Sequence, residues 1–230
     1  MSFITLNSHD GRTFPAYFSP ASTSTAPGIV LMQEIWGVNN ALRSAADRWA
    51  DLGYNVVVPD LFWRDSPSIE LNPANSSDYA RGIQLMQSTG DSSALKDIES
   101  TRQWLAGHLG HDRIGGVGYC WGGRLAAAAS MQTQLTCNVS YYGVGLDSLI
   151  PTLAPTAGPL LIHIAELDAY VPKHAREHIL QMTAQRPNWQ AFVYEGCDHA
   201  FARPASPRRN EAGAALAEER TLNFLGAYLG

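Results

Sequence analysis

Lysine is almost absent from this chain. Of its 16 basic residues only Lys96 and Lys173 are lysines, and no basic run appears. With 21 acidic residues the formal net charge is −5, so the electrostatic footprint of a nucleic-acid binder is missing. No window approaches the roughly 18 apolar residues of a membrane span. The opening segment, Met1 to Asp10, has neither a positive start nor a long apolar core, so no secretory leader is expected. Cysteine is scarce as well: Cys120, Cys137 and Cys197 in 230 residues suit a reducing compartment better than a disulfide framework. The expectation is a cytoplasmic chain, monomeric or weakly associating, with no nucleic-acid or membrane partner. There is also no Gly-x-Gly-x-x-Gly after a strand and no Gly-x-x-x-x-Gly-Lys-[Ser/Thr], so no nucleotide site is indicated.

What the chain does have is apolar substance and regular alternation. Hydrophobic residues make up 45% of the sequence, enough for a sizeable core. Residues 2–7 and 13–18 read as a hairpin about the turn pair Asp10-Gly11. Gly28–Gln33 is a short apolar run of the kind buried on both faces of a sheet. Past Asn39 and Asn40, either one a good N-cap, Leu42, Ala45, Ala46 and Trp49 recur at helical spacing, with Gly53 as a stop. Tyr54–Pro59 is the next strand, and residues 77–88 and 93–108 predict two helices, the second opened by Asp91-Ser92-Ser93. Strands follow at 137–142, 160–164 and 190–194, with a helix over 172–184 and a terminal helix striped by Ala215, Leu222, Leu225 and Leu229. Such alternation predicts one α/β domain over residues 1–230: a mainly parallel central sheet with helices on both faces.

The chemistry centres on Gly118-Tyr-Cys-Trp-Gly-Gly123, where an apolar strand meets a helix of small residues. The pattern matches the strand–turn–helix nucleophile elbow of α/β-hydrolases, with cysteine in place of serine. A nucleophile forced into so sharp a turn needs neighbours without side chains, and it gains the free N–H groups of a helix N-terminus. A thiol of ordinary pKa is only a few per cent thiolate at neutral pH, so it needs a base or a cation beside it. In chain order an acid and a histidine should follow, each on a loop after a strand. His199 in Gly196-Cys-Asp-His-Ala-Phe suits the base, and Asp168 in Glu166-Leu-Asp-Ala-Tyr-Val-Pro suits the acid. Glu166 and Asp198 are nearby rivals for the acid, and on pattern the choice stays open.

Motifs spread nearly end to end add a resemblance. Gln33-Glu-Ile-Trp-Gly-Val-Asn, Pro59-Asp-Leu, the elbow, Tyr141-Tyr-Gly-Val-Gly, Val171-Pro172 after Asp168, His199-Ala-Phe-Ala-Arg and Glu219-Arg-Thr-Leu-Asn-Phe-Leu occur in the order and spacing of one family. The chain resembles the dienelactone hydrolases (carboxymethylenebutenolidases), α/β-hydrolases with a Cys-His-Asp triad. The resemblance implies Cys120, His199 and Asp168 as that triad. It also implies Glu34 as the glutamate near the resting thiol, which swings to deprotonate it, and Arg203 as the arginine that binds a substrate carboxylate. By position the N–H groups of Ile35 and Trp121 would form the oxyanion hole. Tyr142, Trp36, Tyr79 and Arg81 are the remaining candidates for contact with substrate, and Trp36 and Trp121 are expected to flank the pocket. Tyr79 falls where the family usually has a second carboxylate-binding arginine. Arg81 lies two residues on, about 200° around a helix, so it takes that role only if a loop gap shifts the register.

The expected activity is opening of a small carboxylate-bearing lactone through a cysteine thioester, with no metal or organic cofactor. A broader small-ester or thioester hydrolase on the same triad is the alternative. A non-catalytic binder or thiol redox sensor stands behind both. His174 and His178 are four apart on a predicted helix but have no third ligand at a suitable spacing, so a solvated helix face explains them.

Overall fold

In the computed structural model, which describes residues 1–230, the Asp10-Gly11 turn joins β1 (Ser2–Asn7) to β2 (Thr13–Ser19) as an antiparallel pair. Next come β3 (Gly28–Met32) and α1 (Asn40–Asp51), whose first turn is capped where the Asn39 side chain accepts a hydrogen bond from Leu42 N–H. β4 (Asn55–Pro59), α2 (Ser76–Leu109), β5 (Ile114–Tyr119), α3 (Trp121–Gln132) and β6 (Asn138–Tyr141) follow. A single turn, α4 (Leu146–Leu149), precedes β7 (Leu160–Ala165), α5 (Lys173–Ala184), β8 (Trp189–Tyr194) and α6 (Glu211–Leu229). The eight strands form one sheet in the order β1-β2-β4-β3-β5-β6-β7-β8. β2 runs antiparallel to β4, and every pairing from β4 to β8 is parallel. This is the α/β-hydrolase arrangement that the sequence predicts.

The central strands are apolar along their length because both faces are covered. Ile29, Leu31, Val56 and Val58 pack with the buried stripe of α1 and with Phe224, Leu225 and Leu229 of α6. Their neighbours Val30, Met32 and Val57 point the other way, into the core shared with α2 and α3. Each such side chain taken fully out of water contributes about 1.5–3 kcal/mol before chain entropy is set against it.

The two helices read over 77–88 and 93–108 are the two arms of α2, separated at Gly90, whose φ of 66° and ψ of 156° are not helical. Asp91 begins the second arm. Its carboxylate accepts from Trp121 Nε1 at 3.0 Å and from Arg124 Nε at 2.7 Å, tying the kink to α3. The short α4 was not foreseen, since four residues carry too little periodicity to register.

Cys120 sits in the one-residue corner between β5 and α3 with φ 57° and ψ −114°, a conformation that residues with a Cβ seldom adopt. The corner is tight because α3 presses its first turn onto the sheet. A Cβ on Gly118 would lie 1.9 Å from Gly122 O, and one on Gly122 would lie 2.2 Å from Met32 O. We therefore expect Gly122→Ala to destabilise the fold by about 2–3 kcal/mol, lowering Tm by roughly 4–10 °C in thermal melts. The control is Gly226→Ala in α6, where a Cβ meets nothing within 4 Å. That change leaves Tm unchanged or raises it.

Candidate active site

Every parallel strand except β4 delivers a candidate residue at its carboxyl end. Glu34 follows β3, Cys120 follows β5, Tyr142 follows β6, Asp168 follows β7 and His199 follows β8. This is the edge where open α/β sheets place their ligands, because the loops there diverge to leave a crevice. Segments far apart in sequence thus converge on one spot.

The acid–imidazole pair is direct. His199 Nδ1–H donates to Asp168 Oδ2 at 2.7 Å, and the other carboxylate oxygen accepts from Tyr170 N–H at 2.9 Å. The Asp168 side chain is fully buried. The two rival acids are engaged elsewhere: Glu166 accepts from Gly196 N–H at 2.8 Å, while Asp198 accepts from His199 N–H and pairs with Arg208. Burial of His199 opposes its charging, but the Asp168 hydrogen bond and the adjacent Cys120 sulfur outweigh it, and the imidazole is pushed up to about 10. Cys120 itself is partly exposed, and its N–H donates to Tyr141 O at 3.0 Å.

Glu34 and Arg203 form a second buried pair. Arg203 Nη1 donates to Glu34 Oε2 at 3.1 Å, and both side chains are largely shielded from water. Burial works against the Arg203 charge, but Glu34 more than offsets it and the guanidinium is raised above its ordinary value. The loop carrying Glu34 and Ile35 is pinned on both sides. Gln33 Oε1 accepts from Leu61 N–H at 3.0 Å, Leu71 N–H donates to Trp36 O at 3.0 Å, and Gly37 bridges to Glu70. Ile35 N–H donates to no protein acceptor. Trp121 N–H, first in α3, has no acceptor within its helix. Two unclaimed donors of this kind suit an oxyanion.

Aromatic rings line the approach. Tyr142 and Tyr170 both meet the imidazole edge-on, with ring centres 5.2 and 4.9 Å away. Tyr79 OH lies 3.3 Å from Tyr170 OH, and the Tyr79 ring is 6.1 Å from Trp36. Tyr170 had not been singled out in the sequence. The only signal for it was its place two residues after Asp168, on the same turn. Arg81 is not brought into the cluster: its guanidinium donates to Ser66 Oγ at 2.7 Å and Gln84 Oε1 at 2.8 Å. Nor does the indole of Trp121 offer a pocket wall. It is 1% exposed, stacked on Phe62 at 5.5 Å, and bonded to Asp91.

A raised pKa means that the fold favours the protonated imidazole. The stabilisation is fully present below about 6.5, shrinks as pH rises, and is gone above about 10. Asp168→Asn removes the largest force raising the imidazole while burial still lowers it. We expect its titration, followed by NMR of the ring protons, to drop from about 10 to near or below 6.5.

Comparisons with known proteins bear on the family and the fold. The model of the "Dienelactone hydrolase family" matches residues 14–229. A carboxymethylenebutenolidase of Pseudomonas putida is 34% identical over 96% of this chain and 94% of its own length. Another, from Cupriavidus pinatubonensis, is 30% identical over 96% of this chain and 95% of that protein. A crystal structure from Klebsiella pneumoniae, named for dienelactone hydrolase, superposes with a TM-score of 0.83 at 25% identity, covering 99% of this chain and all of that one. An esterase of Pyrococcus furiosus shares the fold at a TM-score of 0.68 and 15% identity, over 100% of this chain and 93% of its own.

Proposed function

Because the chain belongs to the dienelactone hydrolase family, we propose that it opens a small lactone bearing a carboxylate, with Cys120 as nucleophile and a thioester as intermediate. It is a hydrolase of ester or lactone bonds. The observation that carries the finer reading is the buried Glu34–Arg203 pair in the same site as an imidazole bonded to Asp168 and raised by the Cys120 sulfur. A substrate carboxylate competes with Glu34 for the one guanidinium in the site. Once displaced, Glu34 is a free carboxylate next to a thiol. Activation of the nucleophile is then tied to arrival of the correct anion, which limits idle oxidation of the sulfur.

The protons balance as follows. Glu34 takes the thiol proton, leaving a thiolate beside the His199 imidazolium. The sulfur attacks the ring carbonyl, and the Ile35 and Trp121 N–H groups hold the resulting oxyanion. Collapse breaks the ring C–O bond, forming the thioester and expelling an enolate, which takes the proton from His199. The now neutral imidazole removes a proton from water as the water oxygen adds to the thioester. Breaking the C–S bond releases the new carboxylic acid, which loses its proton to solvent. The thiolate recovers its proton from Glu34. Loss of the thiolate charge on acylation also removes one of the influences that raise His199, so the imidazole becomes a base when a base is needed. Asp168 keeps the ring oriented throughout.

The aromatic rim of Trp36, Tyr79 and Tyr170 supports a second reading, in which neutral small esters or thioesters are also accepted. Steady-state kinetics on cis- and trans-dienelactone beside neutral aryl acetates tests both. Cys120→Ala is expected to lose at least ~100-fold in kcat on every substrate, and undiminished turnover overturns the nucleophile assignment. Arg203→Ala is expected to lose ~100-fold in kcat/KM on the anionic lactone while aryl acetate hydrolysis stays within about threefold. An equal loss on both removes the carboxylate-binding role.

A further inference from the structure

Two buried polar atoms among the candidate site residues have no partner: Glu34 Oε1 and the hydroxyl of Tyr142. One is an acceptor and the other a donor. The Tyr142 side chain is among the most completely buried in the molecule, 1% exposed, with its ring against His199, Phe201 and Tyr119. A phenylalanine would fill that space without placing a hydroxyl where nothing receives it, and buried polar groups left unpaired are rare because each is destabilising. The hydroxyl therefore has its use in another state of the site. Substrate is a poor candidate for its partner, since both orphan atoms are closed off from the surface. Their electrostatic neighbourhood is shared: after burial itself, the Glu34 charge is the strongest influence keeping the Tyr142 hydroxyl protonated, with Tyr119 and Cys120 acting in the same direction and Arg203 against it.

We propose that Tyr142 is a positioning residue for Glu34, its hydroxyl donating a hydrogen bond to the carboxylate in the position that Glu34 takes once substrate has claimed Arg203. The inference rests on the reading that Arg203 binds a substrate carboxylate and Glu34 serves as base. In the resting site Arg203 holds Oε2. In the activated site Tyr142 holds one carboxylate oxygen, so the other is aimed at the Cys120 thiol and receives its proton. Without that donor a freed carboxylate has no fixed second position. Deprotonation of the thiol then falls while recognition of the substrate anion is unaffected.

The test uses Tyr142→Phe, which removes one oxygen and leaves the packing in place, so Tm should match or exceed that of the unaltered protein. Alkylation of Cys120 by iodoacetamide reports the thiolate, measured with sodium acetate and with sodium chloride at equal ionic strength. Acetate is expected to accelerate alkylation of the unaltered protein ~10-fold and of Tyr142→Phe by less than twofold. On the lactone, kcat of the variant falls ~10-fold with KM unchanged. In a Glu34→Gln background the further change Tyr142→Phe alters kcat by less than twofold, because the two residues act as a unit. If acetate accelerates both proteins equally, or if the two substitutions add independently, the positioning role is overturned and the Glu34–Arg203 reading stands. A rise in KM matching the loss of kcat/KM overturns it in favour of direct substrate contact. If acetate accelerates neither protein, the underlying reading itself fails and takes this inference with it.

Discussion

The backbone corner at Cys120 is the constraint on which the site depends. A residue with a Cβ is held at positive φ only if its surroundings overdetermine it, since such a conformation costs of order 1–3 kcal/mol. Here the surroundings are β5, buried along its whole length, and α3, pressed so closely on β5 and β3 that only glycine fits at 118 and 122. The Tyr141 carbonyl anchors the Cys120 N–H, and Cys120 O in turn accepts from Arg124 N–H as α3 begins. Strain at one residue is thus held by packing across three elements. In return the sulfur stands clear of its own strand, beside the free N–H of Trp121.

Electrostatics in the site follows from burial as much as from charge. Asp168 and His199 are mostly out of water, as are Glu34 and Arg203, so each charge is expensive alone and stable only with its partner. On the proposed reading, four such groups around one thiol act as exchangeable pairs, and an incoming anion that claims one partner leaves the other to find a new one. The Tyr142 hydroxyl, buried and unpartnered at rest, is a donor suited to that exchange. Tyr79, Tyr170 and Trp36 ring the approach without adding charge, which leaves Arg203 and the His199 imidazolium as the cations of the cluster.

Much of this was legible in the chain itself. The Asp10-Gly11 hairpin, the Asn39 cap, the apolar strands and the glycines about Cys120 are all local signals, each with a local cause. The break between two helices at Gly90 is local too, since Ser88-Thr-Gly-Asp-Ser-Ser93 is poor in helix formers, whereas the reach of Asp91 across to Trp121 and Arg124 is not. The loop carrying Glu34 and Ile35, by contrast, showed no periodic pattern. It is held by a side chain from Gln33 and by backbone contacts to residues 61 and 69–71, which no short window contains.

The choice of acid marks the boundary most sharply. Spacing left Glu166, Asp168 and Asp198 as rivals within about thirty residues of each other, and each can orient an imidazole in principle. The folded chain decides among them, because Glu166 is taken by Gly196 N–H, Asp198 by its own neighbour and Arg208, and Asp168 alone reaches His199 Nδ1. Sequence by itself determined the architecture and the thiol at its corner, since both follow from local patterns of burial and backbone freedom. Tertiary structure alone decided the partners of each charge, because hydrogen bonds and ion pairs depend on distances of a few ångströms between residues that the chain places up to 170 positions apart.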